Sequence, residues 1–170
     1  MAHRDNRRTT EAYVAHRRLS RGVLALTVLA ASLVPGPTHG LLGVGSAEAG
    51  STVIAGHRMT CPRATIIRDS SIGAIAYARP GRIVLNPRAM RRYPVTVRRM
   101  IFLHECAHHY VGGNEPAADC WAVRRAKREG WLTRAGLRQV CRSFENSRGG
   151  GGHLPGPARC RAMTRCFERG

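Results

Sequence analysis

The stretch Phe102-Leu103-His104-Glu105-Cys106-Ala107-His108-His109 holds His-Glu-x-x-His within a run that reads as helix. Histidines four apart lie on one helical face, a turn from each other, so His104 and His108 can reach a single metal ion. Glu105, between them, is left free to take a proton from a water on that metal rather than to bind the ion. The preceding Val97-Arg98-Arg99-Met100-Ile101-Phe102-Leu103 is helix-compatible and mostly apolar, and no proline or glycine falls between Val95 and Val111. The spacing therefore predicts a helix over 95–111, broken before it by Tyr93-Pro94 and ended by Gly112-Gly113.

Outward from that helix, Asn114 is a good N-cap for a second one, with Pro116 tolerated in its first turn and Gly130 closing it. The two make a tight hairpin. Glu115 and Asp119 share one side of the second helix, and either is placed to be the third metal ligand. Cys106 and Cys120 stand at similar heights on the hairpin, which makes a bridge between them the first expectation. Thr133 caps a third helix, from Arg134 to about Phe144. After the flexible Gly149–Gly152 and His153-Leu154-Pro155-Gly156, Pro157 opens a last helix through Cys166. Cys141, Cys160 and Cys166 are expected to tie these ends together, one of them to Cys61.

Upstream, Ser51–Ala55 and Ala64–Arg68 read as short strands separated by Cys61-Pro62, and Ile72–Ala78 with Arg82–Leu85 as a hairpin turning at Arg79-Pro80-Gly81. Asn86-Pro87 stops that hairpin and opens a helical turn through Met90. A strand beside the metal helix would offer its free edge to an extended peptide. The expected fold class is α+β: a small zincin-like domain with a short antiparallel sheet or hairpin, then the helical hairpin and two C-terminal helices, braced by disulfides.

Gly22–Val34 is a short apolar run after an arginine-bearing start, stopped by Pro35-Gly36-Pro37, and suits a signal-peptide core better than a membrane span. Ala47-Glu48-Ala49 suggests cleavage after Ala49, giving residues 1–49 as leader and 50–170 as one domain. Arg17-Arg18 hints at twin-arginine export. All six cysteines fall in the second part, and an even count in a small exported domain points to disulfides and a secreted or periplasmic location. No stable membrane span is expected after cleavage.

The chain carries 28 Lys+Arg against 10 Asp+Glu, a formal +18, with Lys127 its one lysine. Such a field attracts anionic surfaces. The basic residues are scattered, with no aromatic interleaving, which argues against a dedicated nucleic-acid site.

His104-Glu105-x-x-His108, Glu115-x-x-Ala118-Asp119 and His153-x-Pro155 followed by Arg159 together resemble the three-part signature of gluzincin metalloproteases. The similarity is greatest to the prenyl-protein proteases and the soluble envelope proteases related to them. It extends to a set of small exported bacterial proteins with His-Glu-Cys-x-His-His and Ala-Asp-Cys-Trp-Ala. It covers roughly residues 82 to 166 and is strongest in its first two parts. The resemblance implies zinc held by His104, His108 and Glu115, with Glu105 as general base and Asp119 orienting a ligand histidine. It also implies His153 near the cleft, to steady an oxyanion or cover the metal, and Arg159 as a structural partner. The chain departs from the pattern in the six residues between His108 and Glu115, a far shorter link than the family's, and in Leu154 after His153.

The expected function is a secreted zinc metallopeptidase acting on a peptide or protein substrate, acidic or envelope-associated. The alternative is a zinc-stabilised, disulfide-bonded binding module for an anionic envelope partner.

Overall fold

The computed structural model describes residues 47–170; the expected leader lies outside them except for its last three residues. Those three belong to a strand. β1 (Ala47–Ile54) pairs antiparallel with β2 (His57–Arg68), setting Ala47, Glu48 and Ala49 opposite Ile67, Ile66 and Thr65. β3 (Ala76–Arg79) and β4 (Arg82–Leu85) form the expected hairpin, and the sheet order is β1-β2-β4-β3.

Two features of the sheet differ from the sequence reading. First, β2 runs unbroken through Cys61-Pro62, because the register slips between Ala49 and Ser51 and leaves Pro62 beside this bulge, where a missing N–H costs no ladder bond. Second, β4 pairs parallel with β2 over Thr65–Arg68, so the sheet is mixed rather than antiparallel throughout. β3 is left as an edge.

Five helices follow among the described residues: α1 (Pro87–Met90), α2 (Val95–Val111), α3 (Glu115–Arg128), α4 (Arg134–Arg142) and α5 (Gly156–Arg169). The disulfide-braced α+β class is as expected. None of these helices is long and apolar enough to cross a membrane. α2 is the centre of the core. Val97, Met100, Phe102, Leu103, Cys106 and Ala107 are all buried, since the sheet covers one side of the helix and α3 and α4 the other.

The α2–α3 hairpin is close because its interface is made of small side chains. Ala118, Ala122 and Ala126 recur every four residues along α3, and these and Ala107 of α2 are completely buried. A stripe of alanines lets two helix backbones approach, bringing short carboxylates on α3 within reach of histidines on α2. Outside the alanines, Tyr110 stacks on Trp121 at 4.8 Å between ring centroids, with Arg63 of β2 over the Tyr110 ring at 4.3 Å. This stack pins the turn end of the hairpin to the sheet.

Asn114 caps α3 by accepting a hydrogen bond from the Ala117 N–H at 2.9 Å. Asn114→Ala is expected to lower stability by about 1 kcal/mol, measured by urea unfolding. An unchanged midpoint would mean the cap is not needed to set the start of α3.

The three bridges are Cys61–Cys106, Cys120–Cys166 and Cys141–Cys160, so the expected Cys106–Cys120 pair is corrected, as is the expected link from Cys61 to the C-terminal cysteines. Equal height on a hairpin does not fix direction around a helix. Cys106 lies about 200° around α2 from His104, on the side facing β2, while Cys120 is turned about 100° from Asp119, toward α5.

Candidate metal centre

Four side-chain atoms converge at the hairpin turn. Glu115 Oε2 lies 2.9 Å from His104 Nε2, 3.5 Å from His108 Nε2 and 3.3 Å from His153 Nε2, and the two α2 histidines meet at 3.2 Å between their Nε2 atoms. The short link from His108 does not prevent this. Gly112, at φ 68°, ends α2 in a backbone conformation that favours glycine, and Glu115 enters at the first residue of α3, directly above the histidines.

The ring nitrogens facing away from the cluster fix the protonation of the two α2 histidines. His104 Nδ1–H donates to Asp119 Oδ1 at 2.9 Å, and His108 Nδ1–H donates to the Gly112 carbonyl at 2.8 Å. Both partners are acceptors, so each ring is held in the tautomer whose Nε2 carries a lone pair. Those lone pairs point at Glu115 Oε2, itself a buried acceptor without a hydrogen-bond partner. Acceptors facing acceptors call for a positive charge between them, a proton on His104 Nε2 or a metal ion. The 2.9–3.5 Å separations also bracket the roughly 3.3 Å expected between tetrahedral ligands bound at about 2.0–2.1 Å.

Asp119 stands behind this cluster rather than in it. Its Oδ1 is on the far nitrogen of His104, and Arg159 grips both of its oxygens at 2.7 Å, Nε to Oδ2 and Nη2 to Oδ1. Of the two rivals for third ligand, only Glu115 has an oxygen among the converging atoms. His153, expected near the cleft, lies within the donor set: His104, Glu115 and His153 have ligand atoms all within 4.8 Å of one another. Its Nδ1 is buried and unpartnered, so its ring is not oriented as the other two are.

The local charge balance would also favour a cation. Three of the chain's 10 acidic residues, Glu105, Glu115 and Asp119, gather here, and Arg159 balances one. Burial pushes the Glu105 carboxyl above its usual range, with Glu115 adding to the effect, against the pull of His104 and His108. Burial would lower the His104 pKa, but the Asp119 hydrogen bond and charge outweigh it and the net shift is upward. For His153, burial and then the Arg159 charge give a net downward shift.

A raised His104 pKa means that protons and metal compete for its Nε2. Metal binding near pH 7 is therefore expected to release protons, and affinity to fall as pH drops through the raised His104 value. Calorimetry in buffers of different ionisation heat measures this. A proton count of zero near pH 7 would exclude the competition.

Two cavities meet at His104, Glu105 and His153. One, of about 520 Å³, runs along edge strand β3 from Ala76 to Pro80. The other, of about 320 Å³, is walled largely by apolar side chains including Tyr93, Val97, Met100, Ile101 and Phe144. Sequence reading did not find the apolar cavity, since its walls come from α2, α4 and α5 and carry no local signature. It also missed the Gly112 carbonyl that orients His108, which only the helix end reveals.

Compared with protein-family models, curated proteins and solved structures, the chain has no match.

Proposed function

We propose that the protein is a zinc-dependent metallopeptidase working in an oxidising, extracytoplasmic setting. The observation that carries this reading is the convergence of lone pairs from His104, His108 and Glu115 beside a buried Glu105 that is not itself among the donors. Imidazole and carboxylate donors in this arrangement suit zinc, which when bound supplies Lewis acidity to a substrate carbonyl. Glu105 accepts the proton of the attacking water and passes it to the leaving amine, a role suited to a carboxylate whose pKa lies above its ordinary value. Asp119 and Arg159 hold His104 in place. The free edge of β3 pairs with an extended peptide, and the apolar cavity beside Glu105 receives one of its side chains.

His153 favours a second reading. With His104 and Glu115 it completes a three-residue donor set, and His108 as a fourth would close the site as in a structural zinc centre, which would fit a zinc-stabilised binding module for an anionic partner. Under the peptidase reading His153 yields its place to substrate, consistent with a ring whose Nδ1 has no anchor and which follows four glycines at positive φ. His153→Ala separates the two. A peptidase is expected to keep zinc and retain or gain turnover, whereas a structural site is expected to lose zinc affinity and stability. Both are read by zinc titration, thermal melting and cleavage of a broad peptide pool. Absence of any Glu105-dependent cleavage by the zinc-loaded protein would end the peptidase reading.

A further inference from the structure

The face of the α4–α5 pair turned away from the metal centre carries a second feature. Arg138 and Arg142 of α4 and Arg161 and Arg165 of α5 line a groove of about 610 Å³. The helices run antiparallel, tied at one end by Cys141–Cys160, with Cα atoms 5.3 Å apart, and at the other by Arg134 Nη1 to Glu168 Oε1 at 3.1 Å. Counting between these ties sets Arg161 one to two residues past the level of Arg142, and Arg165 one to two past that of Arg138, a stagger of about 1.5–3 Å. The four arginines thus form two pairs across the groove, about 6 Å apart along its length.

Nothing in the described residues neutralises them. The arginines that form ion pairs are Arg68, Arg125, Arg134 and Arg159. Glu145 lies at the groove but pairs with none of the four. All four are exposed, so each charge alone would be an ordinary solvated one. Set opposite each other, they repel across the groove, and an anion between them relieves that repulsion. The arginine stems supply apolar walls and leave the guanidinium forks at the rim.

We propose that this groove docks a linear polymer bearing phosphates, one phosphate to each arginine pair. A phosphate has oxygens enough to accept from two guanidinium forks at once, and the repeat of the pairs along the groove favours a chain of charges over a single ion. Three disulfides place the partner outside a reducing compartment, which favours a polymer of the cell exterior over nucleic acid.

The test is anisotropy with labelled inorganic polyphosphate at about 0.15 M salt. R138Q/R142Q/R161Q/R165Q is expected to weaken binding at least about tenfold and to reduce the salt slope by about 3, the loss of four contacts. R82Q/R88Q/R91Q/R92Q removes the same charge from exposed positions elsewhere and is expected to cost less than about threefold. Lysine at the four groove positions preserves net charge and surface, so a loss of affinity in that variant reports the missing forks rather than misfolding. Equal losses in the two glutamine sets would reduce the effect to net charge and overturn the proposal. So would failure of the wild type to bind, poly-L-glutamate binding as tightly with the same groove dependence, or tighter groove-dependent binding of single-stranded DNA.

Discussion

Glu105→Gln is expected to keep zinc and lose hydrolysis, with turnover falling by about 10²–10⁴-fold, the usual worth of a positioned general base. Its effect on stability runs the other way. The folded-state pKa of Glu105 is raised by burial, so its charge costs stability increasingly as pH rises through that value. Glutamine has no such cost. The metal-free variant should therefore melt higher than metal-free wild type at neutral pH, with the gap closing toward pH 4. A gain in melting temperature with loss of turnover is the signature of a residue kept for chemistry against the interest of the fold. Peptide cleavage, zinc stoichiometry and melting curves give the three readings; undiminished cleavage would remove Glu105 from the reaction.

Arg159→Met is the second large effect. Asp119 is buried and depends on Arg159 for two charge-assisted bonds, so removing the arginine leaves a carboxylate with His104 alone. Breaking such a pair costs roughly 3–5 kcal/mol, and loss of the support behind a ligand histidine should weaken metal binding about 10–100-fold. The double variant Asp119→Asn with Arg159→Met should be less damaged than Arg159→Met, because no charge is stranded. Acid sensitivity gives an independent check. Burial would raise the Asp119 pKa, but the His104 and Arg159 bonds hold it below its ordinary value. Its contribution to stability is therefore complete above the ordinary carboxylate range and is lost as pH falls through the lowered value. In Arg159→Met that acid-labile part should shrink. Chemical denaturation at pH 7 and below pH 4 measures both; an unchanged stability would mean that water replaces the arginine.

Much of the helical layer was legible because its boundaries are written in local chemistry. Pro94 and Gly112 bound α2 where the sequence places them, and Asn114 and Thr133 cap α3 and α4 through their own side chains. That the His104 and His108 rings meet on one face of α2 followed from spacing alone. What was not legible depends on direction in space. Glu115 and Asp119 are both on α3, and only the close approach allowed by the alanines decides that Glu115 faces the Nε2 atoms while Asp119 meets the opposite nitrogen. The cysteine pairing failed for the same reason, since Cys106 sits between two site histidines yet points at β2. The parallel pairing of β2 with β4 escaped because short strands with similar composition carry no mark of their neighbours.

Each of the three bridges begins or ends next to a residue that builds the centre. Cys106 follows Glu105, Cys120 follows Asp119, and Cys160 follows Arg159. If the centre holds a metal as proposed, oxidation and metal retention are thermodynamically linked: each bridge depletes the unfolded ensemble and raises the fraction of chains with all donors in place. By reciprocity, a metal bound there would protect the bridges, since it would favour the state in which their sulfurs are already together. A reductant and a chelator should therefore act synergistically, each alone meeting resistance from the constraint that the other removes.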